Sequence, residues 1–88
     1  MAIRVEFYGV PRARAGITET TSAGRRLEHV LTDLETRFPG LAECCIAGGK
    51  LRPGYVANLD GQRFTTDEQT ELSAYNSVLI LSADAGGA

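Results

Sequence analysis

Hydrophobic and polar residues alternate at the start of the chain and then shift to a helical spacing. In residues 2–8, AIRVEFY, Ile3, Val5 and Phe7 fall on one side and Arg4, Glu6 and Tyr8 on the other. That period of two predicts a strand with one buried face. Residues 9–16, GVPRARAG, carry turn chemistry, with Pro11 and Gly16 as punctuation. The β-branched stretch ITETTS, 17–22, predicts a second strand, so the N-terminus is expected to be a hairpin. Leu27, Val30, Leu31, Leu34 and Phe38 then stand at i, i+3, i+4, i+7 and i+11, one stripe of an α-helix. Ser22 is the expected cap and Pro39-Gly40 the expected stop. His29 lies off the stripe, on the side expected to face solvent.

Residues 41–54, LAECCIAGGKLRPG, are expected to form a loop with a short helical turn near 41–45, and Gly48-Gly49 a flexible joint. The spacing of a phosphate-cradling glycine loop is absent there. YVANL, 55–59, predicts a third strand, followed by the hairpin dipeptide Asp60-Gly61 and a short edge strand near 63–65. SVLILS, 77–82, is the most apolar run and predicts a central strand covered on both faces. The order β-β-α-β-(β)-β implies an α+β roll, a mixed sheet of four or five strands with one main helix packed across one face. Residues 1–82 form the expected single domain, and 83–88, ADAGGA, a flexible tail with no side chain able to pack.

Composition narrows the function. A net charge of −2 gives no basic face for nucleic acid. No run approaches the roughly 20 apolar residues of a membrane span, and the charged N-terminal run is no signal peptide, so a cytoplasmic protein is expected. Cys44 and Cys45 are adjacent, with His29 as the only histidine, too few ligands for a metal. They are expected to be small buried or half-buried thiols, a persulfide or redox role being the alternative. No nucleophile–His–acid set and no paired carboxylates stand out, so no catalytic residue and no bound cofactor are expected.

Four segments in order resemble the ubiquitin-like β-grasp sulfur carriers of the MoaD/ThiS type. They are IRVEFYGVPRARAG, RRLEHVLTDLETRFPGL, GYVANLDGQ and SVLILSADAGG. The family turns into its last strand with a Gly-Asp pair, where this chain has SAYN, 73–76, and Ala88 follows the second glycine. The resemblance implies a carrier that is itself the substrate. An E1-like adenylating enzyme activates the terminal carboxylate with ATP, sulfur from a persulfide displaces AMP, and the thiocarboxylate serves a sulfur-acceptor synthase subunit. Gly86 and Gly87 are the implied site of adenylation and thiocarboxylation. An amide-linked Ala88 blocks the Gly87 carboxylate, which implies a metalloprotease that trims it.

The tail has its own physical logic. Glycine lets backbone approach a partner's active site closely, and Ser82, Ala83 and Ala85 are small, while Asp84 could pair with a basic partner group. If Val78 and Ile80 face the helix, Leu79 and Leu81 face away, beside Tyr8 on the neighbouring strand, and Phe64 on the edge strand can join them. Such an apolar patch is a docking site by default, and the family docks through positions matching Tyr8 and Leu81. A second small core under residues 63–76 is the alternative for Phe64 and Leu81. Arg12 stands where the family often carries an arginine, as a partner or tail contact or as a solvated loop residue. The rival function is a β-grasp interaction module, or a protein modifier without sulfur transfer.

Overall fold

The computed structural model describes residues 2–84; Gly86, Gly87 and Ala88, with Met1 and Ala85, lie outside the described residues. Strand β1 (Ile3–Phe7) leads through helix α1 (Val10–Ala15) into β2 (Glu19–Ser22). Helix α2 (Leu27–Arg37) and the short α3 (Pro39–Cys44) follow. A small hairpin of β3 (Ile46–Ala47) and β4 (Lys50–Leu51) precedes β5 (Tyr55–Leu59), β6 (Arg63–Thr65) and β7 (Ser77–Ser82).

Five strands form one sheet in the order β2-β1-β7-β5-β6. Strand β7 runs parallel to β1, with Arg4 beside Ser77 and Phe7 beside Ile80. It runs antiparallel to β5, with Leu59 beside Val78 and Tyr55 beside Ser82. The last strand is therefore the centre of the mixed sheet, as its apolar run predicts. Helix α2 buries Leu27, Val30, Leu31 and Leu34 completely against Ile3, Val5, Phe7, Ala57, Val78 and Ile80. At about 1.5–3 kcal/mol per fully buried large side chain, this contact is the main source of the fold's stability.

Several local expectations change. Residues 9–16 are helical at 10–15 because Pro11, within the first turn, needs no N–H partner and arrives with a helical φ. Ser22 does not cap α2; it ends β2, and Arg26 takes the cap position. The off-stripe His29 has a local task there, since its Nδ1 accepts the backbone N–H groups of Arg25 (3.1 Å) and Arg26 (3.2 Å). The N–H groups of Leu27 and Glu28 donate to the carbonyls of Thr70 and Glu68, which stitches the 66–72 connection onto the helix.

Pro39-Gly40 stops α2 and also starts α3, since a proline suits a first helical turn. Phe38 falls between the two helices and sets its ring edge-on to Phe7, 5.9 Å between centroids. Gly48-Gly49 is no loose joint. It turns the β3–β4 hairpin, and the Glu35 carboxylate accepts both of its N–H groups, at 3.2 and 3.0 Å. At the β5–β6 turn, Asp60 and Gly61 both adopt positive φ (57° and 71°), the left-handed pair that the dipeptide favours.

Candidate docking face and tail root

Alternation along the strands decides which residues face away from α2. Val78 and Ile80 join the core, as do Ala57 and Leu59. Their neighbours Leu79, Leu81, Val56 and Asn58 therefore project from the opposite, helix-free face. Register aligns one row across it: Phe64 opposite Asn58, Asn58 opposite Leu79, Leu79 beside Glu6, and Glu6 opposite Glu19. Leu81 lies opposite Val56. Tyr8 follows Phe7 on the other side of Leu81, and its N–H donates to the Ile80 carbonyl at 3.1 Å.

The expected docking residues separate under this geometry. Tyr8 (54% exposed) and Phe64 (51%) are open to a partner, and Leu79 is half-buried. Leu81 is only 5% exposed, unlike the open position expected of it. It sits on the central strand between Val56 and Tyr8, which flank it on both sides, and it lies outside the main core cluster. Arg12 is exposed on α1 and lines a shallow groove with Gly16, Ile17 and Thr18, apart from the cross-strand rows. Gly86, Gly87 and Ala88, the residues on which the carrier chemistry falls, lie outside the described residues.

The root of the tail is fixed. Strand β7 is hydrogen-bonded on both sides, and the ladder continues past Ser82 with the Ala83 N–H donating to the Gly54 carbonyl at 2.8 Å. Backbone pairing thus holds the chain up to Ala83.

Two features of this region emerge only from the structure. Asn58 is the one polar residue within YVANL other than the tyrosine, and it is buried at 7% exposure. Its Oδ1 accepts no hydrogen bond from the described residues. A lone amide in an apolar strand was the available signal. The second is a pairing that no spacing reveals: the Cys44 Sγ lies 3.2 Å from the Tyr55 hydroxyl. That hydrogen bond, helped by Arg14, lowers the Cys44 thiol below its ordinary value of 9.0. The same bond pushes the Tyr55 hydroxyl up to about 12, and burial pushes the Cys45 thiol up to about 11. Cys45 is a core residue, as a small thiol can be, whereas Cys44 is half-buried.

Among the described residues, no group of three or more His, Cys, Asp or Glu side chains could hold a metal ion. Nor is any of the helices long and apolar enough to cross a membrane.

No family model and no curated relative matches the chain by sequence. Solved structures do match it. Small archaeal modifier protein 1 of Methanosarcina acetivorans superposes with a TM-score of 0.80 at 21% identity, over 98% of this chain and 96% of that one. The CysO chain of the Amycolatopsis orientalis BexX/CysO complex gives 0.77 at 20% identity, over 98% and 100%. Urm1 of Sulfolobus solfataricus gives 0.65 at 16% identity, over 90% and 97%. At these identities the likeness shows the fold, the ubiquitin-like β-grasp. The β-grasp fold that the resemblance to MoaD/ThiS-type carriers implies is thus borne out by the architecture that these neighbours share.

Proposed function

We propose that the chain is a ubiquitin-like sulfur carrier whose working group is the carboxylate of Gly87, freed by cleavage of the bond to Ala88. The observation that carries this reading is the placement of β7. The central strand, paired on both sides through Ala83, leads directly into the Gly-Gly stretch. A rigid sheet then presents a thin terminus that fits a narrow active site, and glycine removes the Cβ that would obstruct it. The β-grasp fold shared with a modifier protein, CysO and Urm1 supports it.

The chemistry belongs to partners. In an E1-like adenylating enzyme, a Gly87 carboxylate oxygen attacks the α-phosphorus of ATP and pyrophosphate leaves. The terminal sulfur of a persulfide then attacks the acyl carbon. The carbon–sulfur bond forms as the bond to AMP breaks, giving an acyl disulfide. A second thiol reduces that disulfide, leaving the thiocarboxylate on the carrier and a disulfide on the donor. A synthase subunit consumes the sulfur; CysO, which shares this fold, forms a complex with BexX. Tyr8, Phe64 and Leu79 form the open part of the docking face in this reading, with the buried Leu81 supporting it from beneath and Asp84 as a polar contact, while Arg12 would serve a separate contact on α1. The chain supplies no catalytic side chain and binds no permanent cofactor, ATP being held by the adenylating enzyme. A metalloprotease that cuts after Gly-Gly is the natural activator.

ATP–pyrophosphate exchange with the cognate adenylating enzyme tests this. A chain ending at Gly87 supports exchange and the chain retaining Ala88 does not. Exchange with neither would assign the fold to a binding module instead.

A further inference from the structure

We propose that Asn58 anchors the docking face, taking a hydrogen bond from an N–H or O–H donor on a partner protein whose surface is apolar at that point and basic beside it. The inference rests on the carrier reading above and names the recognition chemistry of its docking site.

Asn58 is out of place on folding grounds alone. Its backbone belongs to the β5 ladders, so nothing about the chain path requires an amide there. The residue is more than nine-tenths buried, and its buried Oδ1 accepts from no described residue. Burying an acceptor without a donor opposes folding, and a leucine of similar size would fill the position without that cost. Turning the amide about its last torsion only changes which of its two polar atoms faces inward.

The surroundings point to a protein surface that meets this face. Phe64 stands directly opposite on the edge strand β6 and is half exposed, so a partner surface can reach this row from the sheet edge. Phe64, Leu79 and Val56 share the face with the amide and exclude water from a contact made there. Buried bonds ringed by apolar contacts are where interface energy concentrates. The same row continues from Leu79 to Glu6 and Glu19. Arg4 is shared by those two carboxylates, at 3.4 and 3.1 Å, which leaves an acidic excess at the rim. A partner with a basic residue at that point completes the charge pattern; a second copy brings the same acidic rim and does not.

The test uses the chain ending at Gly87 and the E1-like adenylating enzyme from the same cells, with affinity read by titration calorimetry and stability by thermal melting. Asn58→Leu raises Tm and weakens binding about tenfold, the loss expected for one desolvated hydrogen bond. Asn58→Ala, which adds no bulk, weakens binding to a similar degree. Unchanged binding in both variants overturns the inference and leaves the carrier reading intact. A lower Tm in Asn58→Leu also overturns it, because the amide is then serving the fold. A wild-type dimer that Asn58→Leu dissociates assigns the face to a second copy and overturns it too. If the wild-type chain neither binds the enzyme nor supports exchange, the carrier reading itself fails and takes the inference with it.

Discussion

Replacing Asp33 with alanine should cost far more than a surface carboxylate normally does. Asp33 lies on α2 and accepts the Ser22 hydroxyl at 2.7 Å, and that hydroxyl is at the buried end of β2, where Ser22 is 3% exposed. Arg37, one turn on, reaches the same carboxylate at 2.9 Å, the Thr21 carbonyl at 2.8 Å and the Thr20 hydroxyl at 3.1 Å. The Asp33–Arg37 side chains are each more than a third exposed, so their ion pair contributes only about 0.3–0.5 kcal/mol. The orphaned serine hydroxyl dominates, at about 1–3 kcal/mol. Together these give about 2 kcal/mol, and with about 4–8 °C per kcal/mol for a domain of this size, a Tm drop of about 8–16 °C. Ser22→Ala alone removes a donor from a half-exposed acceptor that water can re-satisfy, at about 0.5–1 kcal/mol. The double variant has no orphan left, so it should be more stable than Asp33→Ala. Urea denaturation of the wild type, both singles and the double reads the cycle. If the two costs simply add, the hydroxyl is not stranded by the loss of Asp33 and the reasoning is wrong.

Other consequences follow from single contacts. A Cβ at Gly40 would stand 2.2 Å from the Arg14 carbonyl oxygen, so Gly40→Ala should force α1 and α3 apart and cost about 1–3 kcal/mol in denaturant melts. Iodoacetamide should alkylate native Cys44 well before the buried Cys45, with Tyr55→Phe slowing the reaction near neutral pH because the thiolate loses its donor; peptide mapping of the adducts decides this. Above about pH 9 the fold should weaken. Cys45 and Tyr55 are raised from 9.0 to about 11 and from 10.0 to about 12, so folding holds them protonated. That contribution is present in full below about pH 9 and is lost as pH rises through 11 to 12, with Cys44 opposing it. Urea midpoints measured from pH 8 upward should fall accordingly, and a flat profile would rule this out.

The fold was legible because its hydrophobic periods are clean. Ile3, Val5 and Phe7 set the first strand, Leu27 to Leu34 set the helix, and the apolar SVLILS run marked the central strand. What stayed hidden depends on contacts distant in sequence. The GVPRARAG segment reads as a turn locally, yet helix α1 packs on α3 and β7. Ser22 carries a capping side chain, but β2 extends to it and Asp33 takes its hydroxyl. Alternation along SVLILS assigns Leu81 to the helix-free face, while its burial depends on flanking strands that no local pattern reports. Asn58 and the Cys44–Tyr55 pair were missed for the same reason: an unmet acceptor and a sulfur–hydroxyl contact exist only once the strands are registered.

The central claim is that Gly87 carries the activated acyl group, and intact-mass analysis of the chain recovered from its own cells tests it most directly. The expected species is a chain ending at Gly87, with a fraction in which one sulfur replaces one terminal oxygen. A population that keeps Ala88 and carries no sulfur, in cells that are actively transferring sulfur, would contradict it.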